Sequence, residues 1–178
     1  MPHVELGTEQ PGIRGLFEYR PETGLALKRL AEVLLRDDNT LSRGERELIA
    51  AYVSRRNDCS FCTLSHSAFA AAQLPGGAAE VANVLDDAST APVSDKLRAL
   101  LAIAAAVQQT GQAVTAEHVA AARDAGATDL EIHDAVLIAA AFCMYNRYVD
   151  GLATEAPGDP EPYAQMAKSI VDEGYLRA

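Results

Sequence analysis

The 178 residues hold no cluster of Lys and Arg, no apolar run long enough to cross a bilayer, no strand-like alternation and only three cysteines. Each absence removes a class of function. With a net charge of -10 and no basic stripe, the chain would be repelled by nucleic acid and by anionic membranes, whose recognition depends on neutralising phosphate. Neither is expected as a partner. The longest nearly uncharged stretch, Ala135 to Tyr145, falls well short of the roughly 18 residues a membrane helix needs. It reads as a buried helix. Met1-Pro2-His3-Val4-Glu5 has no basic segment followed by an apolar one, so no secretory signal is read and a cytoplasmic location is the expectation. In that compartment three cysteines do not make a disulfide framework, and a close-spaced pair is redox-active or metal-binding. Cys143 is the odd one out.

What is present is helix. Ala-rich segments of 3.6-residue period are divided by short Gly, Pro and Asp breaks, which predicts an all-α fold in a single domain over 1–178, with a core of about 20–152 and a C-terminal extension over 153–178. The first helix is expected over Glu22 to Leu35, with Leu25, Leu27, Leu30, Val33 and Leu34 inward. Ser42 with Glu45 three residues on forms a capping box for the second, which buries Leu48, Ile49, Tyr52 and Val53 and ends at Asn57-Asp58. A third opens at Cys59 with Asp58 as N-cap and runs to about Gln73. A short helix over Ala78 to Leu85 and one capped by Ser94 follow. Thr115 and Thr128 are the next N-caps, Thr128 with Glu131 in a second capping box that starts a long helix from Asp129 to about Val149. Its middle is apolar on every side, which implies cover by other helices or by a second subunit. The tail beyond Gly151 carries a last amphipathic turn through Met166, Ile170 and Val171, available to wrap a partner chain.

The chemistry concentrates in Cys59-Ser60-Phe61-Cys62-Thr63-Leu64-Ser65-His66. At about 100° per residue, Cys59, Cys62 and His66 leave one face of a helix. An imidazole one turn below a thiol can take its proton, and the thiolate is the species that attacks peroxides and disulfides. The helix N-terminus favours a thiolate at Cys59, whereas proximity to His66 favours Cys62, and the pattern alone does not decide between them. A zinc site is the competing reading of the same residues, with His133 or Cys143 as a fourth ligand. Glu47 alone would be a solvated partner of Arg43. If the helix after Asp58 folds back antiparallel, however, Glu47 comes close to His66.

Glu47 followed twelve residues later by Cys-x-x-Cys-x-x-x-His, within Leu41-Ser42-Arg43-Gly44-Glu45-Arg46-Glu47-Leu48-Ile49-Ala50, resembles the AhpD-like alkylhydroperoxidase branch of the carboxymuconolactone decarboxylase superfamily. The stretch Phe142-Cys143-Met144-Tyr145-Asn146-Arg147-Tyr148-Val149-Asp150-Gly151-Leu152 is similar to the ending of that superfamily's peroxidase-related members. The resemblance implies an AhpD-like helical bundle assembled as a homo-oligomer, a trimer or hexamer. It also implies a peroxidase in which Cys62 becomes a sulfenic acid, Cys59 donates a proton and then resolves it, and His66 with Glu47 relays protons. No bound cofactor or metal is implied; a hydroperoxide is the substrate, and an external dithiol, lipoyl-bearing or acting beside a peroxiredoxin, is the reductant. Best-studied members have a His immediately before the second Cys, where this chain has Phe61.

Two other classes stay open at this point: a non-redox decarboxylase-like enzyme and a Cys/His metal-binding helical oligomer. The remaining candidates have structural readings. His3 and His118 are expected at the surface, His133 packed and neutral, Cys143 an inert buried thiol, and Tyr145 and Tyr148 core or interface aromatics. Asn146, Arg147 and Asp150 are expected in a structural polar network, with an active-site role as the second reading. Phe61 and Phe69 are most simply packing residues, although Phe61, if exposed between the thiols, would line an apolar approach for an organic hydroperoxide.

Overall fold

Local capping chemistry sets four of the nine α-helix starts among the residues, 1–177, that the computed structural model describes. The Ser42 hydroxyl accepts from the Glu45 amide and the Glu45 carboxylate accepts from the Ser42 amide, opening α3 (Arg43–Arg56). Thr128 and Glu131 do the same for the long α8 (Asp129–Gly151). Thr115 pairs reciprocally with His118 at α7 (Ala116–Asp124), and Ser94 caps α6 (Asp95–Gln109). Each bond satisfies an amide that the first turn leaves without a partner, typically for about 1 kcal/mol. The remaining helices are α1 (Ile13–Tyr19), α2 (Pro21–Arg36), α4 (Ser60–Ala71), α5 (Gly77–Asp87) and α9 (Glu161–Glu173), with no strand among the described residues.

Three features depart from the sequence pattern. The seven-residue α1 buries only Gly15 and Leu16, too little for a periodicity to show. In α2 the buried face is Ala31, Leu34 and Leu35, while Leu25 and Val33 are exposed, so the helix is rotated from the expected stripe. One of its flanks borders a cavity instead of another helix. At the start of α4, Asp58 is not the N-cap. It takes a left-handed φ of 57°, which Asp tolerates better than most residues, and Cys59 occupies the N-cap position with φ -80° and ψ 99°. The Cys59 amide donates to the Ser54 carbonyl at 3.1 Å, closing the turn.

That turn sends α4 back along α3, so the two helices form an antiparallel hairpin. Helix α8 lies against α3 and α6, and Leu48, Ile49, Leu100, Leu101, Ile138 and Phe142 are fully buried where they meet. Truncating one such leucine to alanine costs about 2–5 kcal/mol. Helix α9, expected only as a turn that could wrap a partner, instead packs on α4 of its own chain through Tyr163, Ala167 and Ile170. Its amphipathic face had a partner within the fold. No helix among the described residues is long and apolar enough to cross a membrane.

Candidate active site

The α3–α4 hairpin brings together what lies far apart in sequence. Glu47 sits ten residues before the Asn57 turn and His66 nine after it, and the antiparallel return places His66 Nδ1 2.6 Å from Glu47 Oε2. Glu47 is therefore not a solvated partner of Arg43, because its side chain is only 1% exposed. Its other oxygen accepts from the Tyr175 hydroxyl at 2.5 Å. Around the imidazole stand Phe142 and Phe69, both edge-on at centroid distances of 4.5 and 5.1 Å, and Tyr175, near-parallel at 6.4 Å. His66 Nε2 has no protein hydrogen-bond partner among the described residues.

Both thiols are reduced and buried, Cys59 completely and Cys62 to within 3%. They differ in what they face. Cys62 borders a cavity of 780 Å³ that it shares with His66, whereas Cys59 lies behind it, against Val149 and Asp150. The neighbouring Cys59 thiol, together with burial and the negative charge of Asp150, pushes the Cys62 thiol well above the usual range, while the nearby Asn146 side chain favours the thiolate. A thiol raised in this way keeps its proton near neutral pH. Burial also raises the Asp150 carboxyl, partly offset by the neighbouring Cys59 thiol. Chemically, the arrangement is a cavity-facing thiol with a second thiol in contact behind it and an imidazole, oriented by a carboxylate, one turn along the helix.

The cavity runs from Cys62 outward between α1, α2 and α9. Ile13, Phe17, Leu27, Phe69, Phe142 and Met166 give it a largely apolar wall, with Arg14, Lys28 and Gln165 among its polar residues. Phe61 is buried as a packing residue, the simpler of its two readings: its ring meets Tyr163 at 5.8 Å between centroids. Gly12, at φ 57°, lies over the same ring so closely that a Cβ there would come within 2.4 Å of it. One side of Phe61 still lines the cavity beside Cys62.

Sequence reasoning left three residues out of this site, two of them given an active-site role only as a second reading. Asn146 and Asp150 follow Phe142 at four-residue steps on α8, so the face that presents Phe142 to His66 presents the next two residues to the thiols. That spacing was the available signal. Asn146 is further held by Ser54, to which its amide donates at 3.0 Å, and by Asn57, which donates to its carbonyl at 2.8 Å. Arg147 lies off this face and donates to its own helix at the Cys143 carbonyl. Tyr175, the third residue, lies 128 positions from Glu47 and carried no local signal.

The other candidates fall outside the site. His133 is exposed and paired with Asp134 at 2.8 Å, not packed as expected, since two positions before the buried Ala135 is nearly the opposite side of a helix. His118 serves as the reciprocal cap of Thr115. Cys143 is buried and accepts a long hydrogen bond from Asn57 at 3.5 Å. Tyr145 is a core residue whose hydroxyl donates to the Leu27 carbonyl. Among the described residues no group of three or more His, Cys, Asp or Glu side chains is arranged to hold a metal ion.

An all-helical bundle carrying a paired-cysteine helix against a carboxylate–histidine couple is a recognisable class of protein. The chain belongs to the carboxymuconolactone decarboxylase family, whose model matches residues 21–91 and, again, 75–154. The fold is similar to that of an uncharacterized peroxidase-related protein from Silicibacter sp. TM1040, with a TM-score of 0.77 at 24% identity over 86% of this chain and 78% of that one. It is equally similar, at a TM-score of 0.77 and 22% identity, to a structure from Ralstonia eutropha JMP134 described as an alkylhydroperoxidase AhpD core and an uncharacterized peroxidase-related protein. That match spans 94% of this chain and 95% of the other. No curated protein matches the sequence.

Proposed function

We propose that this protein is a thiol peroxidase that reduces organic hydroperoxides through Cys62 and Cys59, with His66 and Glu47 moving the protons. The observation that carries this reading is the division of labour between the thiols: Cys62 borders the cavity and Cys59 waits behind it. A hydroperoxide entering the cavity meets Cys62 first. As the adjoining Cys59 thiol and burial both favour the protonated form, a base must act during the attack, and His66 is the imidazole on the same cavity wall.

In the first step His66 Nε2 takes the Cys62 proton while the sulfur attacks the terminal peroxide oxygen. The O–O bond breaks, the proton passes to the departing alkoxide, and the products are an alcohol and a Cys62 sulfenic acid. In the second, the Cys59 sulfur displaces hydroxide from that sulfenic acid, and the Cys59 proton leaves with it as water. Cys62 and Cys59 are then joined as a disulfide. An external dithiol, of lipoyl type or on a partner protein such as a peroxiredoxin system, reduces the bridge and is itself oxidised. The apolar cavity wall supports an organic substrate over hydrogen peroxide, because burying an alkyl or aryl group contributes roughly 25 cal/mol per Å² of apolar surface. Assembly as a homo-oligomer is part of the proposal. It is supported by Leu130, Leu137 and Met144, which stand exposed at seven-residue steps along α8.

The test is turnover of cumene, tert-butyl and hydrogen peroxides with a dihydrolipoamide-regenerating system, run beside free-thiol counts. Faster consumption of the organic peroxides with loss of two thiols per chain is expected. If stoichiometric hydroperoxide leaves every thiol titratable, the reading is wrong.

A further inference from the structure

The segment after α9 reaches back into the proposed relay, and its geometry assigns Tyr175 a part in it. We infer that Tyr175 is a positioning residue: its hydroxyl fixes Glu47 as a double acceptor, which sets the tautomer of His66 and so leaves Nε2 free to take the proton of Cys62. The catalytic consequence rests on the peroxidase reading above; the positioning itself does not.

The argument begins with satisfaction of a buried carboxylate. Glu47 is almost wholly shielded from water, so its oxygens must find donors within the protein. Tyr175 supplies one to Oε1 at 2.5 Å. Its phenol is the donor in that bond, since burial and the neighbouring Glu47 push it well above the ordinary tyrosine range and it keeps its proton. As a carboxylate, Glu47 accepts at both oxygens, and the group facing Oε2 is His66 Nδ1 at 2.6 Å. Nδ1 therefore carries the proton. A neutral imidazole protonated at Nδ1 has its lone pair on Nε2.

Removing the phenol oxygen leaves Oε1 without its donor. The carboxylate is then free to turn, and Nδ1 loses the fixed acceptor that keeps the imidazole proton there and the lone pair on Nε2.

Tyr175 is held for this task by contacts that have nothing to do with the thiols. Gly174, at φ 84°, turns the chain at the end of α9, and a Cβ there would stand 2.7 Å from Glu32 Oε2. That same carboxylate oxygen accepts from the Tyr175 amide at 2.7 Å. Arg36 donates to the Ile170 carbonyl at 2.6 Å, so α2 clasps both sides of the turn. The ring stacks near-parallel to His66 and meets Phe69 edge-on, each at 6.4 Å between centroids.

The test compares wild type with Tyr175→Phe, which keeps the ring and loses the oxygen, by following iodoacetamide labelling of Cys62 against pH with peptide mass mapping. The groups facing Cys62, namely Cys59 and His66 on α4, Asn146 and Asp150 on α8, and Tyr163 on α9, are unchanged in the variant. Labelling near pH 7 should fall about tenfold and its profile move to higher pH by about one unit, with the circular dichroism spectrum retained. As a second arm, Tyr175→Ala should regain labelling with added phenol but not with toluene. An unshifted Tyr175→Phe profile, or equal rescue by toluene, overturns the inference. Because labelling needs no peroxide, a wild type that fails to consume hydroperoxide would refute the peroxidase reading and leave the test of Tyr175 intact.

Discussion

Glu131 and Glu47 are both buried carboxylates with 1% of the side chain exposed, yet the fold treats them differently. Glu131 is bound by the Lys96 ammonium at 2.7 Å, the Thr40 hydroxyl at 2.8 Å and the Thr128 amide at 2.7 Å. Burial pulls its pKa upward, but those three donors and the lysine charge outweigh the penalty and hold the carboxyl at about 2. Glu47 makes no hydrogen bond or ion pair with a lysine or arginine among the described residues; its donors are an imidazole and a phenol. A carboxylate tied to an ammonium is fixed in charge and serves the fold. One tied to an imidazole can take part in moving a proton, and its partner faces a cavity with a thiol in it.

Replacing each carboxylate by its amide is the direct way to break the comparison. Glu47→Gln should lower hydroperoxide turnover by about a hundredfold or more, the scale of a lost acid–base contribution, with the fold retained. Steady-state rates beside a thermal melt check this, and an unchanged rate would place Glu47 with Glu131 as a structural group. Glu131→Gln should spare activity at neutral pH and cost stability. The folded-state pKa is depressed from 4.5 to about 2, so the contribution is fully present above about pH 4.5 and fades as the pH falls toward 2. Its size is on the order of 3 kcal/mol. Denaturant unfolding of wild type and variant should therefore differ most near neutral pH and converge as the solution is acidified. A difference that grows on acidification would reverse the assignment.

The same contrast between local and long-range contacts explains what could be read from the chain. Ser42 with Glu45 and Thr128 with Glu131 are bonds across one turn, so the starts of α3 and α8 were legible from spacing. The approach of Glu47 to His66 was legible as well, because a single turn at Asn57-Asp58 relates them. The exact cap was not, since whether Asp58 or Cys59 takes it depends on a left-handed backbone that any short polar residue could have adopted. Asn146 and Asp150 were half legible: their four-residue steps were visible, but which helix their face would meet was not. Tyr175 and α9 were illegible for a plainer reason. Their packing against Glu47 and α4 is set by tertiary contacts more than a hundred residues apart, for which amphipathicity gives a face but no partner.

The central claim is that Cys62 and Cys59, and not Cys143, form an oxidisable couple opened to substrate through the cavity. Peptide mass mapping of the protein after one equivalent of cumene hydroperoxide tests it most directly. The account predicts a peptide containing Cys59 and Cys62 that has lost two hydrogens, with Cys143 still free to alkylate. An unmodified Cys59–Cys62 peptide, or oxidation confined to Cys143, would contradict it.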